Sequence, residues 1–329
     1  MIFNPHRLIF SPGINFTEKA LTIFRFQYAN NELYKRFVDG LNCEVAMVKD
    51  IEAIPFLPIS FFKTHYVATT PFVPACVFES SGTTGSVNSK HCIKDVSIYE
   101  KSFIDSFELV YGPIKDYCIL GLLPSYIERK NSSLVYMVQK MMEISRHESN
   151  GFYLNEYNKL GSKLTELENK EIKTLLIGVT YALLQFAEAH SFKLKHTIVM
   201  ETGGMKGRKK EILRHEVHQK LKQAFHLTNI HSEYGMTELL SQAYAIKDGI
   251  FQTPPWMQVV IREEDDPLKV FSLVNHPVAG VINVIDFANL YSCSFIATDD
   301  IGRLLPDQQF EVLGRIDNSD MRGCSLLAV

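Results

Sequence analysis

Cys76-Val77-Phe78-Glu79-Ser80-Ser81-Gly82-Thr83-Thr84-Gly85 marks a change of texture in this 329-residue chain. From here on, short apolar runs of strand length recur at 75–78, 117–123, 174–177, 197–200 and 229–231. Helix-patterned segments lie between them at 132–145, 181–190 and 209–225. Strands alternating with helices predict an α/β fold with parallel strands. After Gly249 the runs 258–261, 269–273, 281–285, 294–297 and 310–313 follow one another without long helices, which predicts a smaller β subdomain.

Upstream of Cys76, residues 16–49 carry apolar positions at mixed i+3/i+4 spacing (Ala20, Ile23, Phe24, then Tyr34, Phe37, Val38, Leu41) and read as helical. Residues 53–75 hold Pro55, Pro58, Pro71 and Pro74 and read as extended connection, since proline has no N–H to donate and restricts the residue before it. The expected division is 1–75 helical and extended, 76–249 α/β, and 250–329 β-rich.

The composition, 46% hydrophobic and 22% charged, is that of a globular chain and excludes disorder and fibrous folds. A net charge of −3 argues against a chain-wide nucleic-acid binder. Cys43, Cys76, Cys92, Cys118, Cys293 and Cys324 form no CxxC and no zinc spacing, so reduced thiols are expected. The first ten residues lack a signal-peptide core, and the longest mostly apolar stretch, 174–187, is broken by Gly178, Thr180 and Gln185. It is shorter than the roughly 20 residues of a membrane span. A cytoplasmic location without a membrane span is expected.

Three short elements carry chemistry. The Ser80–Gly85 run directly follows a strand-like segment; small hydroxyl residues and glycines let backbone N–H groups close around an anion, although the run alone also reads as a plain turn. Tyr234-Gly235-Met236-Thr237-Glu238 follows the run 229–231, and a hydroxyl with a carboxylate beyond a strand end suits phosphate and magnesium. Thr298-Asp299-Asp300-Ile301-Gly302-Arg303, with Gly314-Arg315-Ile316-Asp317, pairs a carboxylate able to accept from both hydroxyls of a diol with an arginine.

In order and rough spacing these elements resemble the adenylate-forming superfamily of acyl-CoA synthetases, adenylation domains and luciferases. Gly203-Gly204 after the run 197–200 resembles its adenine-flanking loop. The finer resemblance is to the LuxE-like acyl-protein synthetases of the bacterial bioluminescence operon. It rests on Leu123-Pro124-Ser125-Tyr126-Ile127-Glu128-Arg129, on Ser132-Ser133-Leu134-Val135-Tyr136-Met137, on Glu201-Thr202-Gly203-Gly204-Met205-Lys206-Gly207-Arg208, and on Arg322-Gly323-Cys324. It runs from about Phe56 to the end. Two features depart from the wider superfamily. Its mobile C-terminal domain, with a lysine for the first half-reaction, has no counterpart in the twelve residues after Asp317, as in the bioluminescence family. The usual Pro-Lys after the phosphate loop is missing, with Lys90 the nearest substitute.

The resemblance implies the N-terminal-domain fold of that superfamily and a reaction that uses ATP and Mg2+ to convert a carboxylic acid, of the fatty-acid class, into an acyl-adenylate. Ser81, Gly82, Thr83, Thr84 and Gly85 would cradle phosphates together with Thr237. Glu238 would hold magnesium, Asp300 and Arg315 the ribose, and Gly203 and Gly204 the adenine, with Tyr234 and Gly235 completing the motif. A thiol then takes the acyl group; the resemblance places it at Cys324 and implies a reductase or carrier-protein partner. A truncated CoA ligase of the phenylacetate type and an inactive nucleotide-binding relative are the competing readings.

Other patterns read as structural. His215-Glu216-Val217-His218 is one residue short of a zincin motif and reads as a solvated helix face. Lys206, Arg208, Lys209 and Lys210 read as a solvated basic cluster, or as a phosphate contact. Neither Ser80 nor Ser81 has the GxSxG frame of a hydrolase nucleophile. The segment 176–190 reads as core, with Gly178, Val179 and Leu183 as candidates to face an acyl chain.

Overall fold

The computed structural model describes residues 4–80, 87–123, 130–154, 156–203 and 213–316. Helices α1 (Pro5–Phe10), α2 (Phe16–Asn30) and α3 (Glu32–Gly40) open the chain, each with an asparagine side chain accepting from a first-turn amide. The span expected as helical over 16–49 is thus two helices and a 3-10 turn at Val45–Met47. Asn31 divides them: its extended backbone stops α2, its Oδ1 accepts from Tyr34 N at 3.0 Å, and its Nδ2 donates to Ser292 O at 2.9 Å. The proline-rich connection is not wholly irregular. It contains strand β1 (Leu57–Pro58) and the one-turn helix α4 (Phe61–Thr64), which falls between the prolines.

Strands β2 (Cys76–Glu79) and β3 (Lys90–Ile93) form their own antiparallel ribbon, with Glu79 opposite Lys90. The strand before the hydroxyl–glycine run therefore stands outside the parallel sheet that the alternation implied. Helix α5 (Val96–Tyr111), absent from the sequence reading, leads into that sheet. The sheet's elements follow as β4 (Cys118–Leu122), α6 (Ser133–Ser145), β5 (Gly151–Phe152), α7 (Tyr157–Asn169), β6 (Thr174–Gly178), α8 (Thr180–Ala189), β7 (Thr197–Glu201), α9 (Arg214–Phe225), β8 (His231–Tyr234) and β9 (Ala243–Ala245). The strand order is β5-β4-β6-β7-β8-β9, parallel except for β9.

Every residue of β4 and β6 is buried, as a parallel sheet covered on both faces requires. Alternate residues serve the two faces. Ile119, Leu175 and Ile177 join a core with Phe103 and Phe107 of α5 and Val138 and Met141 of α6. Leu120, Leu122 and Leu176 join a second core with Leu160 and Leu164 of α7, Leu183 and Phe186 of α8, and Leu221 and Phe225 of α9. Each fully buried leucine or phenylalanine contributes about 1.5–3 kcal/mol of transfer free energy.

The second sheet takes β10 (Ile250–Phe251), β11 (Met257–Arg262), β12 (Val270–Phe271), β13 (Val278–Asp286), β14 (Phe295–Leu304) and β15 (Phe310–Arg315) in the antiparallel order β10-β15-β14-β13-β11-β12, with β1 added parallel to β14. No α-helix occurs among the described residues from 250 to 316. The N-terminal helices dock here through Gln27 of α2. Its amide donates to Asn289 O, Leu290 O and Ser294 Oγ at 3.0–3.1 Å and accepts from Ser294 N at 2.9 Å, all buried. A bridge between Tyr244 and Gln252 joins the chain from one sheet to the next.

Candidate functional site

Tyr234 is the last residue of β8, and Asp300 lies in the middle of β14, directly opposite Arg315 of β15. The Tyr234 hydroxyl donates to Asp300 Oδ2 at 2.9 Å, while Arg315 Nε stands 3.8 Å from Asp300 Oδ1 and its Nη2 3.7 Å from Asp299 Oδ2. Three of the residues singled out in the sequence are thereby brought together from two sheets. Burial, and then the Asp300 charge, push the Tyr234 phenol well above its ordinary pKa, so it remains a donor. Between the pairs Ile301–Gly314 and Gly302–Val312 the partner strand β15 has one extra residue, Leu313, a bulge that bends β15 against β14. Gly302 is required there: a Cβ would stand 2.5 Å from Ile282 Cδ1 and 2.6 Å from Glu311 O.

Gly203 lies two residues past β7. Its φ of +71° favours glycine, and a Cβ built on it meets nothing within 4 Å among the described residues. Its N–H donates to Glu201 Oε2 at 2.8 Å, and its carbonyl accepts from Thr180 N at 2.9 Å. Glu201 is only 2% exposed, and the same Oε2 accepts from Thr180 Oγ1 at 2.9 Å. Arg214, the first residue of α9, approaches Glu201 Oε1 with Nε at 3.2 Å and donates from Nη1 to Val312 O of β15 at 3.1 Å. Burial alone would raise the Glu201 pKa, but His218, Arg214, Ser232 and the Gly203 amide outweigh it and hold the carboxyl at about 2. Glu233, the neighbour of Tyr234, is pushed up to about 8 by burial and by the Glu201 charge.

Glu201 and Arg214 brace the Gly203 loop, a role that the sequence alone does not assign. The signals for Glu201 are a carboxylate closing an otherwise apolar strand and its place at the head of one stretch that carries the family resemblance. His218 is a correction. His215 and Glu216 are exposed as expected, but His218 is buried, 3.2 Å from Ser232 Oγ and 3.7 Å from Glu201 Oε1. Among the described residues no group of three His, Cys, Asp or Glu side chains lies together as a metal site.

Thr237 and Glu238 form a turn after β8; Thr237 is half-buried and Glu238 is 6% exposed. The turn is held from the segment joining β13 and β14. Asn289 Nδ2 donates to Glu238 O at 2.7 Å, and Asp286 Oδ2 accepts from Leu240 N and Ser241 N, each at 2.9 Å. Burial raises the Asp286 pKa to about 6 despite these donors. Gly235 has no room for a side chain, because a Cβ would overlap Glu233 Oε1.

Gly178 and Leu183, candidates to face an acyl chain, instead pack on protein: a Cβ on Gly178 would stand 2.9 Å from Leu122 Cβ and 3.1 Å from Leu183 Cγ, and Leu183 is fully buried. The Ser80 hydroxyl accepts from Ser89 N at 2.9 Å. Burial raises the thiol pKa of Cys76 to about 11 and of Cys118 and Cys293 to about 12, and raises Cys43 and Cys92 as well. Ser81, Gly82, Thr83, Thr84, Gly85, Gly204, Asp317, Cys324 and the basic cluster 206–210 lie outside the described residues. No helix among the described residues is long and apolar enough to cross a membrane.

No curated protein matches the chain. Among solved structures it is similar to the luciferase-like enzyme of the nonluminescent mealworm Zophobas morio, with a TM-score of 0.50, 18% identity, and 76% of this chain and 60% of that one covered. It is likewise similar to O-succinylbenzoate coenzyme A synthetase of Bacillus subtilis in complex with AMP, with a TM-score of 0.50, 16% identity, and 75% and 62% covered. The chain thus spans less than two thirds of the length of these structures. At such identities the likeness is one of fold, that of the N-terminal domain of adenylate-forming enzymes. The family model of the acyl-protein synthetase LuxE matches residues 14–328, and the chain belongs to that family.

Proposed function

We propose that the chain uses ATP and magnesium to convert a carboxylic acid into an acyl-adenylate and then passes the acyl group to a protein thiol. The observation that supports this most is the convergence of Tyr234, Asp300 and Arg315. Asp300 is an acceptor for ribose hydroxyls that Tyr234 keeps oriented, and Arg315 balances its charge. The residues suit a nucleotide: among the described residues nothing crowds the Gly203 backbone where a flat base would lie, and Glu238 offers a carboxylate one residue beyond Thr237. Magnesium binds through one or two carboxylates and phosphate oxygens rather than an all-protein cage, which accords with one acidic side chain in the motif. When bound, it would neutralise phosphate charge.

In the first step a carboxylate oxygen of the substrate attacks the α-phosphorus, the bond to the β-phosphate oxygen breaks, and pyrophosphate leaves. Thr83, Thr84 and Thr237 hold the phosphates in line while Tyr234, Asp300 and Arg315 fix the ribose; such alignment supplies much of the barrier reduction. In the second step a thiolate attacks the acyl carbon and AMP leaves with the bonding electrons. Cys324 is the thiol in this reading, beside Arg322, which favours the thiolate; burial keeps the other five cysteines protonated. The substrate is a fatty acid, and a reductase or carrier protein receives the acyl group.

The test is pyrophosphate exchange over a panel of fatty and aromatic acids, followed by labelled acid with ATP and magnesium on the wild type and Cys324→Ser. Exchange with fatty acids and hydroxylamine-sensitive label lost in Cys324→Ser are expected. No exchange with any acid would overturn the adenylation reading; equal label on both proteins would remove Cys324.

A further inference from the structure

His91 of β3 is 1% exposed and uses both ring nitrogens. Nδ1 lies 2.9 Å from the Thr237 carbonyl oxygen and Nε2 lies 2.8 Å from Ser292 Oγ. A carbonyl can only accept, so Nδ1 carries the hydrogen, and in the neutral ring Nε2 accepts from the Ser292 hydroxyl. Burial lowers the ring's pKa to about 4, consistent with this single tautomer at neutral pH. Phe62 stands edge-on to the imidazole with ring centroids 5.3 Å apart, which fixes its plane.

The contacts around the turn divide by origin. Glu238 O, Leu240 N and Ser241 N are all held by Asp286 and Asn289, on one side of the turn. The Thr237 carbonyl is held by His91, from a strand 146 residues away that belongs to a separate two-stranded ribbon. His91 thus holds the carbonyl of the peptide that joins Thr237 to Glu238, and Asn289 holds the carbonyl of the next one, so the Glu238 backbone is fixed on both sides. The two supports meet at Ser292, whose Oγ lies 2.8 Å from His91 Nε2 and 3.3 Å from Asn289 O.

We propose that His91 is a positioning residue for magnesium-nucleotide binding: by donating to the Thr237 carbonyl it sets the orientation in which Glu238 meets the metal. This rests on the nucleotide reading above. His91 touches neither nucleotide nor metal and acts only through the turn. On the base and ribose side, Gly203 is held by Glu201 and Tyr234 is bonded to Asp300. Loss of His91 therefore separates metal affinity from nucleoside affinity, which a general loss of packing does not do.

The experiment compares wild type, His91→Asn, His91→Gln and His91→Leu by calorimetry with adenosine and with Mg·ATP, and by a magnesium titration of pyrophosphate exchange. Asparagine places its amide N–H near the Nδ1 position; glutamine places it near Nε2 and misses the Thr237 carbonyl. Losing a supporting contact to a metal-holding group raises the magnesium half-saturation by about 10–100-fold. That rise is expected for His91→Leu and His91→Gln, with His91→Asn close to wild type and adenosine affinity unchanged in all. If His91→Leu does not fold, the asparagine–glutamine pair decides. Unchanged magnesium half-saturation in the glutamine variant, or adenosine and Mg·ATP weakened in parallel, would overturn the proposal. Wild type that binds neither adenosine nor Mg·ATP would overturn the nucleotide reading itself, and this inference with it.

Discussion

The Tyr234 hydroxyl donates to Asp300 Oδ2 across 2.9 Å, although the two residues lie 66 positions apart and on different sheets. The bond is made where the end of a parallel strand meets the middle of an antiparallel one. The tyrosine side is buried, and burial with the Asp300 charge holds its phenol well above the ordinary pKa, so it keeps the hydrogen it donates to the carboxylate. One oxygen of Asp300 is thereby committed to the protein, and Oδ1 is the one that Arg315 Nε approaches.

Replacing Asp300 by alanine is expected to weaken ATP binding by about 1.5–3 kcal/mol, the range for hydrogen bonds to a charged group. Tyr234→Phe keeps the carboxylate but frees its orientation, and a smaller loss of about 1 kcal/mol is expected. Isothermal calorimetry with ATP checks both. Equal affinity in Asp300→Ala and wild type would remove the ribose assignment.

Glu238→Gln preserves shape and removes the negative charge. The magnesium concentration for half-maximal pyrophosphate exchange should rise by an order of magnitude or more, with adenosine affinity unchanged. A full rate at the wild-type magnesium requirement would exclude Glu238 from metal binding.

Glu201 ties the Gly203 loop, α8 and α9 together, and its replacement by glutamine takes the carboxylate charge from Arg214, which among the described residues keeps the Val312 carbonyl and the Phe251 ring. Breaking a buried ion pair costs about 3–5 kcal/mol; partial exposure of Arg214 places the expected loss at the lower end. Because the folded carboxyl is held at about 2, below its ordinary value of 4.5, its stabilising share is complete above pH 4.5 and disappears as pH falls through 2. Urea unfolding of the two proteins at pH 7 and at pH 3 measures this, and the gap between them should narrow at pH 3.

Glu233 gives the opposite slope. Its folded pKa of about 8 exceeds the ordinary 4.5, so between these values the folded protein keeps a proton that the unfolded chain releases. Stability from this residue falls as pH rises from 4.5 to 8. Glu233→Gln cannot ionise and should gain on wild type across that window, by more than about 1 kcal/mol at pH 8. Melting temperatures at pH 5 and pH 8 that differ equally in both proteins would contradict the shift.

Some of this was legible along the chain and some was not. The runs at 117–123 and 174–177 read as buried strands because burial on both faces leaves an unbroken apolar signature, and they became β4 and β6. Helix α5 does not stand out in the sequence although it holds a dense set of core aromatics, because Ser102 and Ser106 interrupt its apolar face. Ser102 and Ser106 are buried, and Ser102 bonds Ser241 and Trp256, a tertiary role with no local signature. His218 reads as solvated because it follows His215 and Glu216 in a polar stretch, yet the helix turns it, with Val217, Leu221 and Phe225, onto the sheet.

By itself the sequence determined the alternating α/β order, the β-rich end, and the motif residues Tyr234, Thr237, Glu238, Asp300 and Arg315, because apolar periodicity and short loop motifs are local properties of a chain. Only the tertiary structure decided that β2 and β3 leave the main sheet, that Tyr234 meets Asp300, that Glu201 and Arg214 brace the Gly203 loop, and that His91 holds the Thr237 carbonyl. Those contacts join residues 13 to 146 positions apart. They are set by how two sheets and a hairpin pack, and that packing is fixed by the burial of both cores together, which no stretch of sequence carries alone.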